Sequence, residues 1–193
     1  MLKSDIGFIL KTLLFQIVLS IFGNMMALGT LSYDPLMFAG GIIMAGLYIY
    51  LVYSMYWKKG AERCINKEAG LLGAFNGLLL ILIASVPTII MATVACSGPL
   101  VYTDGNPTSK FAVFQIMCLA LTGQYRGIIQ VIYPNILIEG ISSTPNAIQP
   151  LAYLFSVIPA IVAGGTGYYL GFRDISILKL LGINIKPANN GDR

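Results

Sequence analysis

The residues with the most chemistry to offer lie in one stretch, Phe111 to Tyr133. There Gln115, Thr122, Arg126, Gln130 and Tyr133 stand 7, 4, 4 and 3 residues apart in an otherwise apolar run. On a helix these spacings bring the side chains to one face. A guanidinium at the centre of a membrane costs roughly 2.5 to 3.5 kcal/mol on insertion scales, so Arg126 must face protein, water or headgroups rather than acyl chains. One reading is a ligand site for an anionic group, with Arg126 as its charge and Gln115, Thr122 and Gln130 as hydrogen-bonding neighbours. The structural reading is that Arg126 snorkels to the outer headgroups, or pairs with Glu139 to pin the following loop. Spacing alone favours the structural reading.

Most other chemistry is excluded. Without histidine, the usual general base and the commonest metal ligand are missing. Cys64, Cys96 and Cys118 form no C-x-x-C pair, so no zinc or dithiol motif is encoded and no metal or cofactor is expected. Cys96 and Cys118 read as two buried free thiols, with a disulfide as the alternative. Ser142 and Ser143 have neither a base nor a G-x-S-x-G elbow. Gly164-Gly165-Thr166-Gly167 lacks the Gly-Lys-Ser/Thr ending of a phosphate loop. No Asp or Glu falls inside an apolar run, which disfavours proton coupling. No catalytic residue emerges, and an enzyme is not expected. Gln16, Asn24 and Asn76 are uncharged polar residues inside other runs, and read as hydrogen-bonding glue between helices.

The elements that must position these residues are membrane helices. The chain has 193 residues, 56% hydrophobic and 10% charged, against about 25% charged in a soluble domain. Its mean hydropathy of +0.78 comes from runs long enough to cross roughly 30 Å of hydrocarbon. Those runs are Thr12 to Leu31, Leu36 to Trp57, Gly70 to Ser97 and Leu151 to Phe172. The expected fold is an all-α polytopic helical bundle of about four full spans, with 111–133 as an amphipathic re-entrant or interfacial helix. Five full spans are the alternative. A single domain covers 1–185, with a polar tail at 186–193. The tight Ser32 to Pro35 connection predicts an antiparallel hairpin. Lys58 to Glu68 reads as a basic loop, Pro87 as a kink in the third span, and Ile175 to Ile185 as a short interfacial helix.

Charge sets the threading. Ten of the twelve basic residues gather at Lys3 and Lys11, at Lys58, Lys59, Arg63 and Lys67, and at Arg173, Lys179, Lys186 and Arg193. The positive-inside bias places both termini and the 58–68 loop in the cytoplasm, with the chain in the plasma membrane. Because an even number of crossings must then separate the central loop from the tail, one of the three apolar segments between them fails to cross. The polar 111–133 segment is the natural exception.

Small residues recur four apart at Gly23 and Ala27, Gly41 and Ala45, Gly73 and Gly77, Ala160 and Gly164, and Ala163, Gly167 and Gly171. Such stripes let helix backbones approach closely. Tyr168 is expected on the exposed side of the last span. The functional expectation is a non-enzymatic subunit of a small-solute transport system or of a larger membrane complex. The alternative is a structural or regulatory membrane protein whose basic loop docks a cytoplasmic partner or anionic lipid. The partners are the bilayer and other membrane subunits. Nucleic acid is not expected, because basic residues in a membrane protein first report topology.

Overall fold

The computed structural model describes residues 2–30, 32–65, 73, 75–101, 117–132, 148–173 and 175. The described residues are helical, with no strand among them. Helix α1 spans Leu2–Gly29, α2 Asp34–Ile65 and α3 Asn76–Val101. Residues 117–122 are helical and tighten into a 3-10 turn at Gly123–Tyr125 before α4, Arg126–Ile132. Helices α5, Ile148–Phe155, and α6, Val157–Phe172, complete the bundle. Four stretches are long and apolar enough to cross a membrane: Asp5–Gly29, Asp34–Ile65, Asn76–Val94 and Ala152–Phe172. Leu14, Met25, Ile43, Leu79 and Val162 are exposed on the outside, while Tyr48, Tyr56, Ile81 and Tyr168 are buried. An outer surface so rich in large apolar side chains fits a membrane location.

The α1–α2 hairpin closes as its sequence predicts. Tyr33 N donates to Thr30 O at 3.0 Å, and Tyr33 O accepts from Leu36 N and Met37 N. Pro35 lies in the first turn of α2, where its missing N–H has no intrahelical partner to lose. Helices α2 and α6 run parallel. A Cβ on Gly167 would stand 2.6 Å from Tyr53 O, one on Gly171 would strike Trp57 O, and one on Gly60 would strike Tyr168 O. Helix α3 runs antiparallel to α6, because Gly77 lies on the Tyr168 ring and Gly164 on Ile81. The start of α1 and the ends of α2 and α6 therefore share one end of the bundle. There Arg63 is paired with Asp5, Trp57 Nε1 donates to Ile175 O at 2.9 Å, and Lys59 lies over the Phe8 ring.

Several expectations need correction. The stretch 58–65 is not a loop but the last two turns of α2, held by the Gly60 contact and by Arg63, which turns inward instead of facing solvent. Gly73 is buried but sits in a turn before α3 and is no helical partner of Gly77. Tyr168 is fully buried, not exposed. Helix α3 continues unbroken through Pro87. The interruption falls in the last span, at Ser156, a single residue whose backbone stays close to helical (φ −64°, ψ −16°) within the stretch Ala152–Phe172. Pro159 explains it: the ring clashes with the carbonyl four residues earlier, that of Phe155, where α5 ends. A fresh start at Val157 puts Pro159 in the first turn of α6, where a missing N–H is harmless. Ser156 bridges the gap, its N donating to Ala152 O at 3.0 Å and its Oγ to Tyr153 O at 2.7 Å. The expected interfacial helix at 175–185 and the 186–193 tail lie outside the described residues, Ile175 apart.

Candidate functional site

A helix that breaks inside an apolar bundle must find new partners for the backbone groups it frees. The break at Gly123–Tyr125 finds them on α1. Gln16 Nε2 donates to Leu121 O at 3.0 Å and to Thr88 Oγ1 of α3 at 2.9 Å. Ser20 Oγ donates to Leu119 O at 3.3 Å and accepts from Gly123 N at 2.6 Å. Asn24 Nδ2 donates to Leu119 O at 3.0 Å, and Asn24 Oδ1 accepts from Arg126 Nη1 at 3.1 Å. Gln16, Ser20 and Asn24 are four residues apart, so a single face of α1 clasps the break.

Glycine makes the approach close enough. A Cβ on Gly23 would stand 2.7 Å from Gln124 Cα, and one on Gly41 would stand 2.6 Å from Ile128 N. A Cβ on Gly123 would strike Ser20 O, and one on Gly127 would strike Met37 O. The run Gly123-Gln124-Tyr125-Arg126-Gly127 is thus held backbone to backbone between α1 and α2.

Both helix breaks meet at a polar cavity deep in the bundle. Thr122, Gln124 and Tyr125 line it from one break, and Ser156 and Val157 from the other. Gln16, Tyr48, Ser85, Thr88 and Ala160 complete the wall. No charged side chain is among these lining residues, and the space holds about one water molecule. Thr122 Oγ1 donates to Cys118 O at 2.6 Å. The Tyr125 ring packs edge-on against Tyr48, with centroids 6.0 Å apart.

The stripe expected from sequence is only partly assembled. Thr122 lines the cavity, but Arg126 does not; it is half-buried and turned to Asn24. Gln130 is buried yet stands outside the wall. Gln115, Tyr133 and Glu139 lie outside the described residues, as does Lys67. The 3-10 turn accounts for the split. It advances about 120° per residue against about 100° in an α-helix, so three such residues rotate Arg126 about 60° from the line of Thr122. Cys118 is buried and in no disulfide, and the Cys96 thiol lies outside what the structure describes. Among the described residues no group of His, Cys, Asp or Glu could hold a metal ion.

Sequence reasoning missed Ser20, Ser85, Thr88, Gln124 and Ser156. Two signals were available: the four-residue spacing of Ser20 between Gln16 and Asn24, and Pro159 following Ser156. Compared with known proteins, the chain matches no family model, no curated sequence and no solved structure.

Proposed function

We propose that this chain is a non-enzymatic polytopic membrane protein that serves as a subunit of a small-solute transport system, with 117–132 as a re-entrant segment. The observation that carries this reading is the meeting of two helix breaks at one polar cavity. Discontinuous helices that bring freed backbone and polar side chains together mid-bundle are how transporters build solute sites in a bilayer. Chain direction supports re-entrance. Helix α3 runs away from the end where α2 finishes, and α5 with α6 runs back to it, so the intervening segment starts and finishes at the far end. Its hydrogen bonds with Gln16, Ser20 and Asn24 support a tip about midway along α1. The positive-inside bias assigns the end carrying Arg63 and Arg173 to the cytoplasm of a plasma membrane.

The second reading, a structural or regulatory protein that docks a cytoplasmic partner or anionic lipid through its basic end, draws on the cavity's small size and on exposed Lys58. Thiol chemistry separates the two. In a background without native cysteines, Ser85→Cys and Ser156→Cys should react with a small water-soluble thiol reagent. Because the closed cavity is far too small for any such reagent, reaction reports opening. Leu80→Cys, in the apolar core, should stay inert. If the cavity cysteines are as inert as Leu80→Cys, the bundle does not open and the structural reading replaces transport.

A further inference from the structure

The cavity's donor set defines what it can hold. Among its lining residues none is acidic or basic, none is a thiol, and the polar atoms are overwhelmingly oxygens. Two hydroxyl protons are already committed: Thr122 donates to Cys118 O and Ser156 to Tyr153 O. Their oxygens are left with lone pairs. The carboxamide oxygen of Gln124, a residue 1% exposed, has no hydrogen-bond partner among the described residues, nor has the hydroxyl of Tyr125. Gln16, which could have supplied N–H donors to an anion, has its Nε2 engaged twice. An anion would meet hydroxyl donors, that of Tyr125 among them, but no positive charge, since Arg126 is turned to Asn24 outside the wall.

Hard oxygens suit a hard cation. With no carboxylate to offset a double charge, the match is to a single one. The helix interruption adds to this: Pro159 has no N–H to offer Phe155 O, which leaves that carbonyl without its usual helical donor next to lining residues Ser156 and Val157. The space lies at the lower limit for one water, so dehydrated sodium, which is smaller than a water molecule, fits it more readily than potassium, which is about the size of one.

We propose that this cavity is a monovalent-cation site, selective for sodium, in which neutral oxygens of Thr122, Gln124 and Ser156 hold the ion between the two helix breaks. Bound there, sodium ties the 117–132 segment to the α5–α6 junction. It offers a coupling ion to a protein that has no histidine and whose cavity is lined by no carboxylate. The inference deepens the reading of the cavity as a working site, but its test requires binding only, not transport.

The purified full-length chain in lipid nanodiscs is unfolded thermally in sodium, potassium or choline chloride at equal ionic strength. Sodium should raise the midpoint by about 5 °C over choline, as expected for a ligand present well above its dissociation constant. Potassium should do less. Ser156→Ala and Thr122→Val should lose the sodium shift, whereas Thr93→Val, an exposed hydroxyl on α3, should keep it. Radioactive sodium binding to the wild-type protein, competed by unlabelled sodium and not by choline, is the second readout. Equal midpoints in all three salts together with no saturable sodium binding would overturn the proposal and leave water as the occupant. That outcome does not touch the cysteine test of cavity opening, so failure of the ion site and failure of the transport reading are told apart.

Discussion

Gly167→Ala should destabilise the bundle by about 1 to 3 kcal/mol, the usual cost of forcing extra volume into a packed interface. The new methyl would stand 2.6 Å from Tyr53 O, a backbone atom that cannot rotate away. Relief requires α2 and α6 to separate along a seam that also includes Gly60 against Tyr168 and Gly171 against Trp57. Gly167→Leu should be worse, preventing recovery of folded protein. Gly46→Ala is the matched control: it lies mid-helix in α2 with nothing within 4 Å of an added Cβ. It should be neutral or slightly stabilising. Unfolding of the purified variants, by heat or by denaturing detergent, reads the difference. Equal stability of Gly167→Ala and Gly46→Ala would show that the α2–α6 seam is looser than described.

The Arg63–Asp5 pair should carry the next largest effect. Arg63 is 7% exposed, its Nη2 bonded to Asp5 Oδ1 and its Nη1 donating to Tyr168 OH at 3.3 Å. Removing one partner of a buried pair leaves a charge with too little compensation, at about 3 to 5 kcal/mol when solvent is excluded. The Asp5 side chain is 24% exposed, so Asp5→Asn should fall at or below the bottom of that range, near 2 to 3 kcal/mol. Adding Arg63→Met to Asp5→Asn removes the stranded charge as well as the pair. The double variant should therefore lose clearly less than the two single losses combined, because the residues act as a unit. Additive losses would mean that the two charges do not stabilise each other.

Much of the architecture was legible in the sequence for a simple reason: length and apolarity mark candidate spans, and four helices long and apolar enough to cross a membrane appear. Gln16 and Asn24, read as interhelical glue, do bond across helices, although to the backbone of a broken segment rather than to another regular helix. What was not legible depended on where helices stop. Pro87 looked disruptive and is passed by a continuous α3, while Pro159 was absorbed into a uniformly apolar run and ends α5. The stripe through Thr122, Arg126 and Gln130 assumed one unbroken helical period. A 3-10 turn of three residues is enough to send Thr122 to the cavity and Arg126 to Asn24. The close pairing of Gly23 with Gly123 and Gly41 with Gly127 requires knowing which helices touch, and a single sequence does not contain that.

The claim on which the rest depends is that 117–132 enters and leaves from the same end of the bundle. Single cysteines at positions 105 and 143, which flank the segment in sequence, can be labelled with a membrane-impermeant reagent in intact cells and in inverted vesicles. Tyr33→Cys serves as the marker for the far end and Glu62→Cys for the basic end, both being exposed. Re-entrance predicts that 105 and 143 label together with Tyr33→Cys from outside the cell, and that Glu62→Cys labels only in inverted vesicles. Labelling of 105 from one side and 143 from the other would mean that the segment crosses completely, contradicting both the four-span topology and the site built on it.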